Sequence, residues 1–307
     1  GIDSSSNVGS GISNTGNINI ETNGTASGSG QATVSAYGII VNGSTITGSI
    51  ANSGTITVNS NADVDGSLYN FAAGIYTHST SVTGGINNTG TINVATDSTG
   101  SSVTDEAYGI FAFGNVASIT NSGVINASSS DGAAIFVRNM SSSLPITLNG
   151  GRVIGDIVDH DITAGYSNVV IGDDFTTEGD ITVSDLTINS GKILTVSSGN
   201  TVTLNDMTAS TGTLRFGLNG STDNALLNVT GAGNGVDLSG SDIAIKIDGG
   251  TYANGDEFLI ADGVTAITGG PGSTAELASD SSYLWNFNII DGFLVGGASL
   301  DLSLIHI

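Results

Sequence analysis

One phrase, apolar-x-Asn-x-Gly-x-Ile, returns four times in the first half of the chain, and a phrase returning at long, near-regular spacing specifies a solenoid. The copies are Ile12-Ser13-Asn14-Thr15-Gly16-Asn17-Ile18, Ile50-Ala51-Asn52-Ser53-Gly54-Thr55-Ile56, Ile86-Asn87-Asn88-Thr89-Gly90-Thr91-Ile92 and Ile119-Thr120-Asn121-Ser122-Gly123-Val124-Ile125. From Asn14 to Asn52, Asn88 and Asn121 the steps are 38, 36 and 33 residues, the unevenness of a repeat with a variable loop. A second phrase falls between the first ones: Ala36-Tyr37-Gly38-Ile39, Ala73-Gly74-Ile75, Ala107-Tyr108-Gly109-Ile110 and the degraded Ala133-Ala134-Ile135. Ala73 and Ala107 are 34 residues apart, Ala107 and Ala133 only 26. The surplus lies in the polar stretch from Ala95 to Glu106, which is expected to be a surface loop.

Within a unit the apolar residues keep strict parity. Ile46, Ile50, Ile56 and Val58 are all even, as are Val82, Ile86, Ile92 and Val94, with Thr, Ser and Asn between them. That is the period of a half-buried strand, and no stretch shows helical spacing. Each unit therefore offers about three short strands parted by Gly or Asn, the make-up of one coil of a parallel β-helix. The expected fold is all-β, a right-handed parallel β-helix closed by a C-terminal hairpin- or sandwich-like cap. At the corners, Asn and the turn glycines Gly16, Gly54, Gly90 and Gly123 are expected to supply positive φ. Stacked coils would lay Asn14, Asn52, Asn88 and Asn121 over one another, so that their amides bond in a ladder.

Composition narrows the function classes. The 307 residues include 46 Gly, 2 Pro and no Cys, and only 11% are charged, against about 25% in ordinary globular domains. A mean hydropathy of +0.20 leaves ample apolar surface to bury, which argues against disorder. The formal charge is −23, from 28 acidic and 5 basic residues. Phosphate backbones are bound by clustered Lys and Arg, so nucleic acid is excluded as a partner, and an anionic membrane would repel this surface. Without Cys there are no disulfides and no thiolate metal sites, which suits passage through an oxidising compartment.

Texture changes twice along the chain. Residues 1–143 hold the regular Asn-x-Gly coils, 144–212 less regular coils that still alternate through Ile181, Val183, Leu194 and Val196, and 213–301 a region with the only Trp. There Tyr283, Trp285 and Phe287 are expected to cover the open edge of the last coil. The Asn-x-Gly-Thr-Ile repeats, Gly191-Lys192-Ile193-Leu194-Thr195-Val196, the run from Thr213 to Val229 and Gly250-Thr251-Tyr252-Ala253-Asn254-Gly255-Asp256-Glu257-Phe258-Leu259-Ile260 together resemble the passenger of a bacterial autotransporter. The resemblance covers nearly the whole chain. It implies that 213–301 is an autochaperone-like junction that folds first, that an outer-membrane β-barrel follows in the same polypeptide, and that the chain is exported through the periplasm to the cell surface. Leu302-Ser303-Leu304-Ile305-His306-Ile307 is what the codons CTG TCT CTT ATA CAC ATC encode, a string that looks like a transposon end used in library preparation. That segment is expected to be non-native. With neither an initiating Met nor a signal peptide, the chain is expected to be an internal fragment.

Chemistry is sparse. The carboxylate groups that could serve acid–base work on a glycan are Asp173 with Asp174, and Asp156, Asp159 and Asp161 around His160, and neither group comes with the Lys, Arg and His phrases of pectin-degrading enzymes. The second group is also the one candidate set for a hard cation. Gly231-Ala232-Gly233-Asn234-Gly235-Val236-Asp237 resembles a Ca²⁺-binding nonapeptide but occurs once and reads as a turn. No Gly-Asp-Ser-Gly protease phrase is present. No cofactor is implied. The leading expectation is a secreted or surface-displayed passenger that adheres to surface glycans or proteins or self-associates, without a catalytic site. The alternatives are a glycan-cleaving β-helix enzyme, and a structural stalk or phage tail-spike rod.

Overall fold

A computed structural model describes residues 1–26, 31–100, 102–207, 211–220, 223–231, 241–250, 256–262, 283–290 and 293–300. The chain divides into two units, Gly1–Ser167 and Asn168–Ile307, so the textural breaks near 143 and 212 fall inside units.

In the first unit each coil gives one strand to each of three parallel sheets, as an alternating sequence with corner residues requires. One sheet stacks Ile12–Asn14, Ile50–Asn52, Ile86–Asn88, Ile119–Asn121 and Leu144–Leu148 in chain order. A second stacks Asn17–Ala26, Thr55–Val64, Thr91–Thr99, Val124–Ser128 and Arg152–Ile154. The third stacks Ile2–Ser4, Gln31–Asn42, Ser67–Val82, Ser102–Val116, Ala133–Arg138 and Ile157–Asp159. The solenoid expected from the repeats is therefore the fold of this unit.

Register converts the repeats into aliphatic rows. Ile12, Ile50, Ile86, Ile119 and Ile146 pair in succession, as do Ile18, Ile56, Ile92, Ile125 and Val153, and Ile39, Ile75, Ile110, Ile135 and Ile157. Nearly all are fully buried, and each such side chain contributes roughly 1.5–3 kcal/mol on burial. A narrow interior filled by like residues over like needs few aromatics.

Two expectations change. The polar insertion is strand rather than loop: Thr91–Thr99 and Ser102–Val116 run through it, with Asp97 opposite Asn61 and Ser102 opposite Ser67. Neighbouring coils carry matching insertions, so their backbones pair, and a polar sequence becomes strand by lateral hydrogen bonding. Between the two layers lies a buried polar knot, in which the Ser60 hydroxyl donates to Asn70 Oδ1 (2.6 Å) and Asn70 Nδ2 donates to Asp105 Oδ1 (3.0 Å) and Ser98 Oγ (2.8 Å). The corner residues also differ from expectation, because Asn139 is the sole non-glycine with positive φ among the described residues, and Gly16, Gly54, Gly90 and Gly123 are not in that region either. A Cβ on Gly54, Gly90 or Gly123 would instead overlap the carbonyl oxygen of the glycine one coil earlier, while Gly16 has nothing within 4 Å. Close stacking of backbones, not left-handed φ, selects glycine here.

The second unit repeats the plan with shorter coils. Ser167–Ile171 pairs with Asp185–Ile188 in parallel. Phe175–Thr176, Ile193–Val196, Thr213–Asn219 and Asp242–Gly249 form a parallel sheet, and Ile181–Val183, Thr201–Leu204, Leu226–Val229 and Glu257–Asp262 another. Beyond Glu257–Asp262 the pairing turns antiparallel, first to Phe293–Leu300 and then from that strand to Tyr283–Ile290. A hairpin thus ends this sheet. Tyr283, Trp285 and Phe287 are on its outer strand, while their side chains, residues 232–240, 251–255 and 302–307 lie outside the described set. No described helix is long and apolar enough to cross a membrane.

Candidate ligand-binding cleft

The four ladder asparagines form a continuous row. Asn14 Nδ2 donates to Asn52 Oδ1, Asn52 Nδ2 to Asn88 Oδ1 and Asn88 Nδ2 to Asn121 Oδ1, each at 2.8 Å. The second proton of each amide is shared between carbonyls, Gly54 O (3.3 Å) and Thr91 O (3.3 Å) in the case of Asn52. Asn52, Asn88 and Asn121 are completely buried. The row is internal scaffolding, closed to a ligand.

The carboxylates singled out by sequence are committed to turns. Asp173 is paired with Lys192 (2.8 Å), whose hydrogen bond holds its carboxyl below the usual range, and Asp174 accepts the Ile193 N–H (3.0 Å). Asp159 is buried and accepts the Asp161 N–H (2.8 Å) and the Ser167 hydroxyl. Asp161 accepts the Asn139 N–H (2.7 Å), the main cause of its lowered pKa, and lies 3.0 Å from His160 Nδ1. Asp156 has a partner as well. Among the described residues no three His, Cys, Asp or Glu gather as a metal site.

What sequence reading missed is an aromatic cleft on the outer side of the third sheet of the first unit. Its origin is a slip in alternation. At Gly74-Ile75 two successive residues face inward, because a Cβ on Gly74 would strike Ile92 and Ile75 is fully buried. Gly38 and Gly109 repeat the slip against Ile56 and Ile125. After it, the residue following each Ile points outward, on the same side as those before it. Tyr76, Phe111 and Phe136 hence stand in one row with ring centroids 5.1 and 4.9 Å apart. Beside them on the same face is the group before the slip, where Phe71 lies 5.6 Å from Tyr37 and 5.4 Å from Tyr108. The groups touch through Phe71–Tyr76 (5.5 Å) and Tyr108–Phe111 (4.9 Å).

Of the nine Phe and seven Tyr in the chain, three Phe and four Tyr line this cleft, packed on one another with Phe71 and Tyr108 buried and the others half-buried. The cleft encloses about 420 Å³ and is also lined by Glu106, Arg138 and His160. Its carboxylate is held in place. Tyr69 Oη donates to Glu106 Oε2 at 2.7 Å and Tyr108 Oη to the same oxygen at 3.2 Å, which fixes the carboxylate and leaves Oε1 unengaged. The signal in the sequence was the residue after the Ile of the second phrase, aromatic in Tyr76, Phe111 and Phe136.

Burial first, then the Glu106 charge and hydrogen bond, push the Tyr69 and Tyr108 hydroxyls above their ordinary range. A tyrosine whose folded pKa exceeds the unfolded value of about 10 contributes stability that is complete below that pH and is lost as pH rises beyond it. An alkaline titration is therefore expected to show these phenolates only as the fold opens, and Y69F/Y108F is expected to remove the delayed step in tyrosinate absorbance. Tyrosines that all ionise together near the ordinary value in a folded chain would contradict the cleft geometry.

Comparison with family models, with curated proteins and with solved structures finds no match to this chain.

Proposed function

We propose that the chain is an adhesive passenger of the autotransporter type, displayed outside the cell, and that the aromatic cleft is where it takes hold of glycan. The supporting observation is the combination in one cleft of two adjoining groups of rings with an oriented carboxylate. Sugar rings present polarised C–H faces that pack on the electron-rich faces of aromatics, and their hydroxyls need fixed acceptors. Glu106 Oε1 is such an acceptor. Cleavage of a glycosidic bond by acid and base needs two carboxylates flanking it, and only Glu106 lines the cleft, which favours binding over hydrolysis.

The test is attachment of cells displaying the chain to glycan-coated surfaces. Y76A/F111A is expected to reduce attachment to that of cells without the chain, while circular dichroism retains the β signal. Undiminished attachment by a folded double variant refutes the assignment of the cleft.

A further inference from the structure

We propose that the glycan taken by the cleft is singly acidic, with a sugar carboxylate paired to Arg138 and a neutral sugar hydroxyl donating to Glu106; this rests on the glycan-binding reading. The observation behind it is an unspent cation. The chain has five Lys and Arg against 28 acidic residues, so each cation has an excess of carboxylates to meet. Lys192 pairs with Asp173 and Lys246 with Asp248 (2.7 Å), and neither Arg152 nor Arg215 is free. Arg138, exposed at the end of Ala133–Arg138, is alone among the described Lys and Arg residues in that its side chain enters no hydrogen bond or ion pair, and it lines the aromatic cleft. Asp161 feels its charge, but that carboxylate is already engaged by the Asn139 N–H and by His160.

Chemistry at the rest of the cleft sets the number of charges. A guanidinium presents parallel N–H donors that match the two oxygens of a carboxylate. Glu106 lines the same cleft with a free oxygen, so a second acid on the ligand near it would be repelled. Polyanions are held by several cations along their length, and one Arg does not suffice for them. Tyr76, Phe111 and Phe136 line the same cleft with ring steps of 5.1 and 4.9 Å, comparable with the advance of a sugar chain per residue. The fitting occupant is a short oligosaccharide with one uronic- or sialic-type residue next to a neutral one.

The experiment is calorimetric titration of the full chain with pairs of oligosaccharides, each a singly acidic compound and its carboxyl-reduced counterpart. The acidic member is expected to bind at least tenfold more tightly, R138Q to bring that ratio close to one, and R138K to restore part of it. Circular dichroism checks that the variants fold; Arg138 is exposed, so the fold is expected to persist. Equal affinity for both members of every pair, or a preference that survives R138Q, overturns the acidic-ligand proposal while leaving glycan binding in place. No binding to either member of any pair overturns both.

Discussion

Gly90→Ala is expected to cost at least about 3 kcal/mol, while Gly16→Ala stays within about 0.5 kcal/mol of the parent, although the two glycines hold equivalent places in the repeat. The added methyl at Gly90 would overlap the Gly54 carbonyl oxygen, a backbone atom fixed by the sheet hydrogen bonds of two coils. No side chain can rotate to make room. At Gly16 the same methyl meets open space within 4 Å. A conformational explanation based on left-handed φ would penalise both replacements equally, so the pair separates the two causes. Urea unfolding of both variants gives the answer, with m-values checked for two-state behaviour. Equal midpoints would mean that coil-to-coil contact is not what requires glycine.

The second large effect is expected at Asn88, in the middle of the amide row. N88A leaves the Asn52 amide without the acceptor it has at 2.8 Å and the Asn121 carbonyl oxygen without its donor. Both groups are fully buried. Each unsatisfied buried partner costs roughly 1–3 kcal/mol, so a loss of about 3–5 kcal/mol is expected, against about 1–2 kcal/mol for N14A, which deprives Asn52 Oδ1 of one donor at the row's end. N88D is expected to be worse at neutral pH despite its shape. A carboxylate can accept from Asn52, but its other oxygen would face Asn121 Oδ1, Gly90 O and Val124 O, all acceptors. Folding then favours the protonated acid, so the folded pKa lies above the unfolded value of about 3.9. N88D stability is accordingly highest below that pH and falls as pH rises through the folded pKa. Thermal melts of the three variants across acid to neutral pH test the order and the slope. A flat pH profile for N88D would show that the row is wetter than the structure indicates.

How much of this could be read beforehand depends on whether a property belongs to one coil or to several. The aliphatic rows and the asparagine row were legible, because Asn14, Asn52, Asn88 and Asn121 recur at a spacing that only stacking makes sense of. The reason for Gly54, Gly90 and Gly123 was not legible, since the distance between neighbouring backbones leaves no trace in a single repeat. Thr96, Asp97 and Ser98 suggested a loop by composition, yet they pair with Ser60, Asn61 and Ala62, and pairing partners one coil away outweigh polarity. The cleft stayed hidden for a related reason. Strict alternation would send Tyr108 and Phe111 to opposite faces, and only the two inward positions at Gly109-Ile110 bring them together. Arg138 and His160 gave no sign of nearness to Tyr69, being far along the chain. The hairpin of Tyr283–Ile290 and Phe293–Leu300 agrees with the expected C-terminal change of texture, though the aromatic cover itself lies outside the described side chains.

Because Asn52 and Asn88 occupy the same station one turn apart, excising residues 53–88 would join Asn52 to Thr89 and leave the downstream phrase Gly90-Thr91-Ile92 in phase. Duplication or loss of such a cassette alters reach while sparing the scaffold. The aromatic cleft obeys a different rule: Tyr69, Phe71 and Tyr76 all leave with that cassette. Recombination between copies would therefore change the number of turns and, in the same event, rebuild the aromatic cleft.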